Sequence, residues 1–382
     1  VPSPTLSSPT VATVDLNALI HNLGQVRRLA PTAEIIAIVK ADAYGHGAIP
    51  VARTLEAHGV TKFGVATLEE GITLREAGIR STILVLGGLW PEHFADAVAY
   101  HLTPVLYDQS QAKAFAAYVA GRSAPYPVHL NIDTGMGRLG LTREEVGVLL
   151  SSSAFRSAIH VSGLMTHLAD SDNPDPAYTT WQLTQFRAVL ASLQTLAFSS
   201  SLIHTANSAA ILCHPAAHFT AVRPGIMLYG YHTAAHVHPP PTLRPVLSVT
   251  TRVVQIRLLK PGETAGYNRT FLARRPTRIA VLQLGYAHGY TRLLSNCGTV
   301  LVNGRRAPIV GRVCMEMTLV DVTDVPGVSP GTEVTIIGRQ GAEQVTASDL
   351  AAWQGTIAYE VLCSLGSHLP KIYRNSSEHN PA

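Results

Sequence analysis

Short apolar, β-branched runs recur at residues 35–39, 63–66, 83–86, 103–106, 128–132, 161–165, 202–204 and 219–222, with helical segments or turns between them. Runs that lack polar alternation read as strands buried on both faces. Strands separated by helices pair in parallel through right-handed crossovers, because a twisted strand feeding a helix packs back onto its sheet in one hand only. Eight such units are the number that closes a barrel. An open doubly wound sheet is the alternative, but its usual Gly-x-Gly-x-x-Gly turn after the first strand is missing. The expected fold is therefore α/β, a (β/α)8 barrel of the TIM type.

Ahead of the barrel, residues 11–14 read as a short strand. Leu16, Leu19, Ile20, Leu23, Val26 and Leu29 then recur at helical spacing, with Asp15 as N-cap and Pro31 as stop. Further helices are expected at 48–58 closed by Gly59, at 68–77 closed by Gly78, and at 177–196. At His238-Pro239-Pro240-Pro241 the rhythm changes. Beyond it lie extended runs at 246–259, 278–284, 299–302, 308–322 and 333–337, separated by turns such as Asn303-Gly304, with a helical pattern only at 348–353. The expected organisation is a barrel over 13–240, a mostly β second domain over 241–374, and disordered tails at 1–10 and 375–382.

Charged residues make up 14% of the chain and hydrophobic ones 46%, as in a packed globular protein. The net charge of +4 is dispersed, which argues against nucleic acid or an anionic membrane as partner. Cys213, Cys297, Cys314 and Cys363 are scattered, as buried thiols in a reducing compartment are. No His-x-x-x-His or Cys-x-x-Cys pair supports a metal, and neither a signal peptide nor a membrane span is evident. A cytoplasmic enzyme is expected.

Barrels of this kind carry their chemistry at the carboxyl ends of the strands, with a phosphate site commonly after the seventh and eighth. Lys40 ends the first strand, the first polar residue as it runs into a loop with Gly45 and Gly47. Arg138 lies in Asp133-Thr134-Gly135-Met136-Gly137-Arg138 after the fifth, and His167 ends the sixth. Asn207-Ser208 follows the seventh at the start of a short helix, and Arg223-Pro224-Gly225-Ile226 follows the eighth. Taken singly, each has a plain structural role: a solvated lysine, a surface arginine, a core histidine, a helix cap, a turn. Their gathering at one rim is what those roles do not explain. A lysine in apolar surroundings deprotonates readily and forms a Schiff base with an aldehyde. Ser208 and the amides near Gly225 can hold a phosphate without a cation. Together these point to pyridoxal phosphate.

Val39-Lys40-Ala41-Asp42-Ala43-Tyr44-Gly45-His46-Gly47 resembles the cofactor-lysine signature of alanine racemases. The likeness continues through His204-Thr205-Ala206-Asn207-Ser208, 222–230, Ala265-Gly266-Tyr267, Gly311-Arg312-Val313-Cys314-Met315 and Tyr359-Glu360, in the same order over residues 13–372. The resemblance implies that Lys40 carries pyridoxal phosphate as a Schiff base. It implies that Tyr44, Ser208, Gly225, Ile226 and Tyr359, beside Asn207, hold the phosphate. Arg223 is expected to face the pyridine nitrogen, where an arginine disfavours ring protonation and so avoids transamination. Racemisation needs a proton donor or acceptor on each face of the α-carbon: Lys40 on one and, by resemblance, Tyr267 on the other. A free tyrosine titrates at about 10 and needs cationic neighbours to serve as a base; His167 and Arg223 are the implied chain. Tyr267 is implied to come from a partner subunit, which makes the active unit a head-to-tail homodimer with shared sites. The implied reaction interconverts L- and D-alanine and supplies D-alanine for cell-wall peptidoglycan.

Two positions depart from the pattern. Asn131 stands where many members have a carbamate-bearing lysine beside the arginine that meets the cofactor's phenolic oxygen, here Arg138; a chloride or a water is expected in the gap. Glu316, after Met315 at the substrate-carboxylate end, replaces the usual aspartate, which opens serine or a wider amino-acid range as an alternative substrate. Rival readings are a pyridoxal-phosphate decarboxylase, a cofactor carrier without turnover, and a sugar-phosphate barrel without cofactor.

Overall fold

The computed structural model describes residues 8–194, 202–234, 236–237 and 241–375. The prolines expected to mark the domain boundary, at 239 and 240, lie outside the described residues, as do 1–7 and 376–382 of the expected tails. The chain divides into two compact units.

Strand β1 (Val11–Asp15) belongs to the second unit. The first unit, Ile20–Ala43 with Ala48–Arg244, contains the barrel. Its strands are β2 (Glu34–Ile38), β3 (Lys62–Val65), β4 (Thr82–Val85), β5 (Thr103–Leu106), β6 (Tyr126–Asn131), β7 (Ile159–Met165), β8 (Leu202–His204) and β9 (Ala221–Val222), all parallel, with β9 closing onto β2. Ile36, Ala37, Ile38 and Val39 are buried in succession, as a strand covered on both faces requires. The last strand is shorter than its apolar run because Phe219 has φ 45, which takes it out of extended conformation. Helix Leu68–Glu76 starts at a capping box, in which Thr67 accepts from Glu70 N–H and the Glu70 carboxylate reaches back to Thr67 N–H. Asn22, fully buried, closes the chain of this unit: its amide donates to the Leu228 and Arg244 carbonyls and accepts from Arg244 N–H.

The second unit gathers the chain up to Leu19, Tyr44–Gly47, and everything from Pro245 onward. Its nine-stranded sheet is built on the 13-residue strand β10 (Leu247–Leu259). β10 runs antiparallel to β1, Thr277–Leu282 and Glu333–Gln340, while β1 pairs in parallel with Lys371–Arg374. The first strand of the chain, expected in the barrel domain, is therefore part of this sheet. Residues 8–10, expected in a loose tail, are tied down. Thr10 is 1% exposed, and its hydroxyl bonds Thr251 Oγ1 at 2.7 Å and the Gln283 carbonyl at 2.6 Å.

Two further expectations are corrected here. The run 308–322 is two strands, Arg305–Pro308 and Thr318–Asp321. Between them Gly311, at φ 73, turns the chain, and Cys314 and Met315 carbonyls accept from Tyr286 and Ala287 N–H. Helix Ala358–His368 had no sequence signal: its N-cap, Ile357, makes no side-chain cap, and it contains a glycine. Gly366 is required there because a Cβ would stand 2.1 Å from the Gly45 carbonyl oxygen.

Candidate active site

Val39 N–H donates to Gly64 O, so residue 39 still follows the strand register. Past it, the expected loop is instead a helical turn, Lys40–Gly45, of left-handed sense: φ is 53 at Ala41, 51 at Asp42, 55 at Ala43, 55 at Tyr44 and 80 at Gly45. That conformation costs about 1–2 kcal/mol for each residue with a Cβ, so the surroundings must hold it. The Glu70 carboxylate accepts from Ala41 N–H and Ala66 N–H, each at 2.6 Å. Asp42 accepts from Ala48 N–H at 2.7 Å, and Ala43 N–H donates to Val39 O at 2.9 Å. Lys40 opens this turn as an exposed residue.

Behind the rim, Arg223 is 4% exposed. Its Nη1 donates to His204 Nδ1 (2.9 Å) and His204 O (2.6 Å), and its Nη2 to Thr166 O (2.9 Å), Thr205 O (3.0 Å) and His167 Nδ1 (3.2 Å). Burial lowers its pKa to about 9; with carbonyls and imidazole nitrogens all accepting from it, the guanidinium stays charged at neutral pH. Burial, then the positive charges of Arg223, Arg138 and Lys40, hold His167 down at about 3, so this imidazole is neutral. Those same charges place Lys40, Arg138, His167 and Arg223 in one electrostatic neighbourhood.

Arg138 is exposed in a loop that leaves β6 and returns through an Ile132–Leu141 bridge. Asp133 organises it, its carboxylate accepting from Gly135 and Met136 N–H at 2.9 Å and from Gly137 N–H at 3.1 Å. Asn131, buried at the end of β6, donates from Nδ2 to Leu139 O at 3.0 Å. Its Oδ1 has no partner among the described residues.

Ser208 is buried at the start of helix Ser208–Cys213, and its hydroxyl oxygen accepts from Gly225 N–H at 2.9 Å and Met227 N–H at 3.3 Å. Ile226 is buried, and its N–H is not among the backbone bonds that tie down this turn. The Asn207 side chain is committed to the helix: Oδ1 caps Ala210 N–H at 2.9 Å and accepts from Ser171 Oγ at 2.8 Å.

In the second unit, Tyr44 and Tyr359 pair with ring centroids 5.9 Å apart. Burial, then Tyr359 and Cys363, raise the Tyr44 phenol far above the usual tyrosine range, so it is a hydrogen-bond donor and not a base. Tyr267 is 67% exposed, on a turn where Gly266, Asn268 and Arg269 have φ of 74, 58 and 50. Met315 and Glu316 are exposed on the loop pinned to Tyr286 and Ala287.

Sequence reasoning passed over His129, Glu70 and any role for His204. His129 is a polar position inside an otherwise apolar strand run and His204 the polar end of another, which is the signal that could have found them. Among the described residues, no three His, Cys, Asp or Glu side chains gather as a metal would require, and no helix is long and apolar enough to cross a membrane.

Two family models match the chain: alanine racemase, N-terminal domain, over residues 14–233, and alanine racemase, C-terminal domain, over residues 246–373. The chain is 43% identical to the alanine racemase of Syntrophobacter fumaroxidans over 95% of its length and 96% of that protein's. It is 41% identical to that of Halothermothrix orenii, over 97% and 98%. Among solved structures, alanine racemase from Bacillus anthracis with bound L-Ala-P superposes with a TM-score of 0.91 at 35% identity, over 98% of this chain and 97% of that one. The enzyme from Bartonella henselae with covalently bound pyridoxal phosphate gives 0.88 at 31%, over 96% and 99%.

Proposed function

The chain belongs to the alanine racemase family, and from that premise we propose that it interconverts L- and D-alanine with one base on each face of the α-carbon, Lys40 on one and Tyr267 of a second copy of the chain on the other. The observation that carries this reading is the Arg223–His167 bond. An arginine only donates, so His167 Nδ1 accepts and its proton sits on Nε2. That leaves a donor suited to stabilising a phenolate, which is how a tyrosine becomes a competent base.

The residues present fit pyridoxal phosphate. Bound, this cofactor supplies an electron sink that acidifies the α-proton of an attached amino acid. Lys40 would hold it through its side-chain amine, the same group that would carry a proton at one face of the α-carbon. The Ser208 oxygen accepts two N–H bonds, which directs its own O–H elsewhere, and with the buried Ile226 N–H it supports phosphate binding in the Gly225 turn. Tyr44 and Tyr359 complete that set in our reading, while Asn207 serves it by capping the helix. Arg223 uses Nη1 and Nη2 internally, which leaves Nε–H as donor to an unprotonated ring nitrogen. Arg138 takes the substrate carboxylate side, with Met315 and Glu316 of the second copy at the entrance. Asn131 Nδ2 spends one hydrogen on Leu139 and keeps one for an anion, which supports a chloride opposite Arg138; absence of anomalous signal after bromide exchange would refute the halide. The four free cysteines fit a cytoplasmic setting, where the D-alanine formed would serve cell-wall peptidoglycan.

The test is chiral analysis of L-alanine incubated with the loaded enzyme and with Tyr267→Phe. The variant should keep its yellow colour and lose roughly 10²–10⁴-fold in turnover, the usual share of a general base. Full activity would remove Tyr267 from the mechanism.

A further inference from the structure

Inside the barrel, where aliphatic side chains usually fill the layers, a polar line runs from Arg223 through His204 to His129. His204 Nδ1 is 2.9 Å from Arg223 Nη1, and His204 Nε2 is 2.8 Å from His129 Nδ1. The two imidazoles lie 4.9 Å apart between centroids. His204 is 0% exposed and His129 3%. Space for His129 is made by Gly163 on β7, where a Cβ would stand 2.4 Å from the ring.

The bonds in this line have one possible direction. Arg223 has only donors, so His204 Nδ1 accepts and its single proton lies on Nε2. That proton needs an acceptor in a dry site, and His129 Nδ1 is the atom there; His129 therefore carries its own proton on Nε2. Were His204 to adopt the other tautomer, its Nδ1–H would meet the Arg223 N–H head on. Burial and the Arg223 charge keep both imidazoles neutral, consistent with this pattern.

We propose that His129 is a positioning residue: by accepting from His204 it fixes the tautomer that locks the Arg223 guanidinium, and so sets how Arg223 meets the ring nitrogen of the cofactor. This rests on the reading of Arg223 given above. Removing the acceptor strands a buried N–H, and the line is relieved by moving His204 or Arg223.

Two substitutions separate hydrogen bonding from packing. Asn Oδ1 occupies nearly the position of His Nδ1, so His129→Asn keeps the acceptor while leaving a small void. His129→Leu fills the space and has no acceptor. Cofactor affinity and the ¹⁵N shift of ring-labelled pyridoxal phosphate are the readouts, with loaded wild-type enzyme as reference. His129→Leu should weaken cofactor binding about 10-fold, the low end of the effect of stranding a buried donor, and move the ring-nitrogen resonance. His129→Asn should stay within about 2-fold and keep the resonance. Equal losses in both variants, or a His129→Leu protein that matches wild type, would overturn the proposal. Should His129→Leu not fold, ¹⁵N NMR of histidine-labelled wild-type protein decides: a proton on His204 Nε2 supports the line, and one on Nδ1 overturns it. A wild-type chain that binds no pyridoxal phosphate would instead sink the cofactor reading and leave the tautomer measurement standing.

Discussion

Acid should destabilise this fold well above the range in which carboxylates titrate. His129 and His167 are each held at about 3 in the native state, by burial first and then by Arg223, with Lys62 adding to His129 and Arg138 and Lys40 to His167. Unfolded, each returns to about 6.5. Between these values the unfolded chain binds protons that the native chain does not, so stability is complete above pH 6.5 and declines as pH falls toward 3. From pH 7 to pH 5 each histidine should remove about 2 kcal/mol, the pair about 4 kcal/mol, and His204, shifted the same way, adds to the loss. Urea unfolding of the cofactor-free protein at closely spaced pH values measures this directly. The decisive control is His129→Leu, whose slope between pH 6.5 and 5 should be shallower by about 1 kcal/mol per pH unit, a little under one proton's worth because the unfolded histidine is already half protonated at pH 6.5. Equal stability at pH 7 and 5, or an unchanged slope in the variant, would mean that His129 is protonated in the native state.

Close backbone packing gives a second expectation. Gly366→Ala puts a Cβ 2.1 Å from the Gly45 carbonyl oxygen and should cost about 3 kcal/mol or more. Gly24→Ala, in the middle of helix Leu16–Leu29 with nothing within 4 Å, should stabilise by about 0.5–1 kcal/mol; thermal midpoints that move together would refute the contrast. Asp133→Ala releases the N–H groups that shape the Arg138 loop and should raise KM for alanine roughly 10-fold with cofactor affinity unchanged, whereas Asp133→Asn should retain most of the effect of the acceptor. The proposal that two copies of the chain share their sites makes a further prediction. Lys40→Ala and Tyr267→Phe proteins should each lose nearly all turnover alone, and after subunit exchange one site per mixed dimer should be intact, so about a quarter of wild-type activity should return; no recovery would place both bases in one chain.

The barrel was legible because its signal is local. Each strand of β2 to β8 announces itself by a short apolar run, and glycines such as Gly59 and Gly78, at φ of 81 and 88, close the helices between them. The exceptions have local causes of the opposite kind. Nothing in Ala41-Asp42-Ala43-Tyr44 favours a left-handed turn, since every one of these residues prefers the right-handed hand. The turn exists because Glu70 accepts from Ala41 N–H and Asp42 from Ala48 N–H, bonds that only the folded chain brings together.

The same distinction explains which parts of the site could be found in advance. Lys40, His167, Ser208 and Arg223 sit just past strand ends and Arg138 in the loop that follows β6, so the strand pattern carried them to one rim. His129 lies within a strand, two residues before the position where the family pattern departs at Asn131, and its partner His204 ends a different strand. A histidine in a run otherwise buried on both faces is costly unless a partner meets it, and here the partner is a second histidine whose other nitrogen is already taken by Arg223. These two interior histidines therefore form one linked set, and the set ends on the member that only donates, the arginine. The line behind Arg223 thus follows from its burial: a buried guanidinium needs acceptors, and His204, fully buried in supplying one, finds its own acceptor in His129.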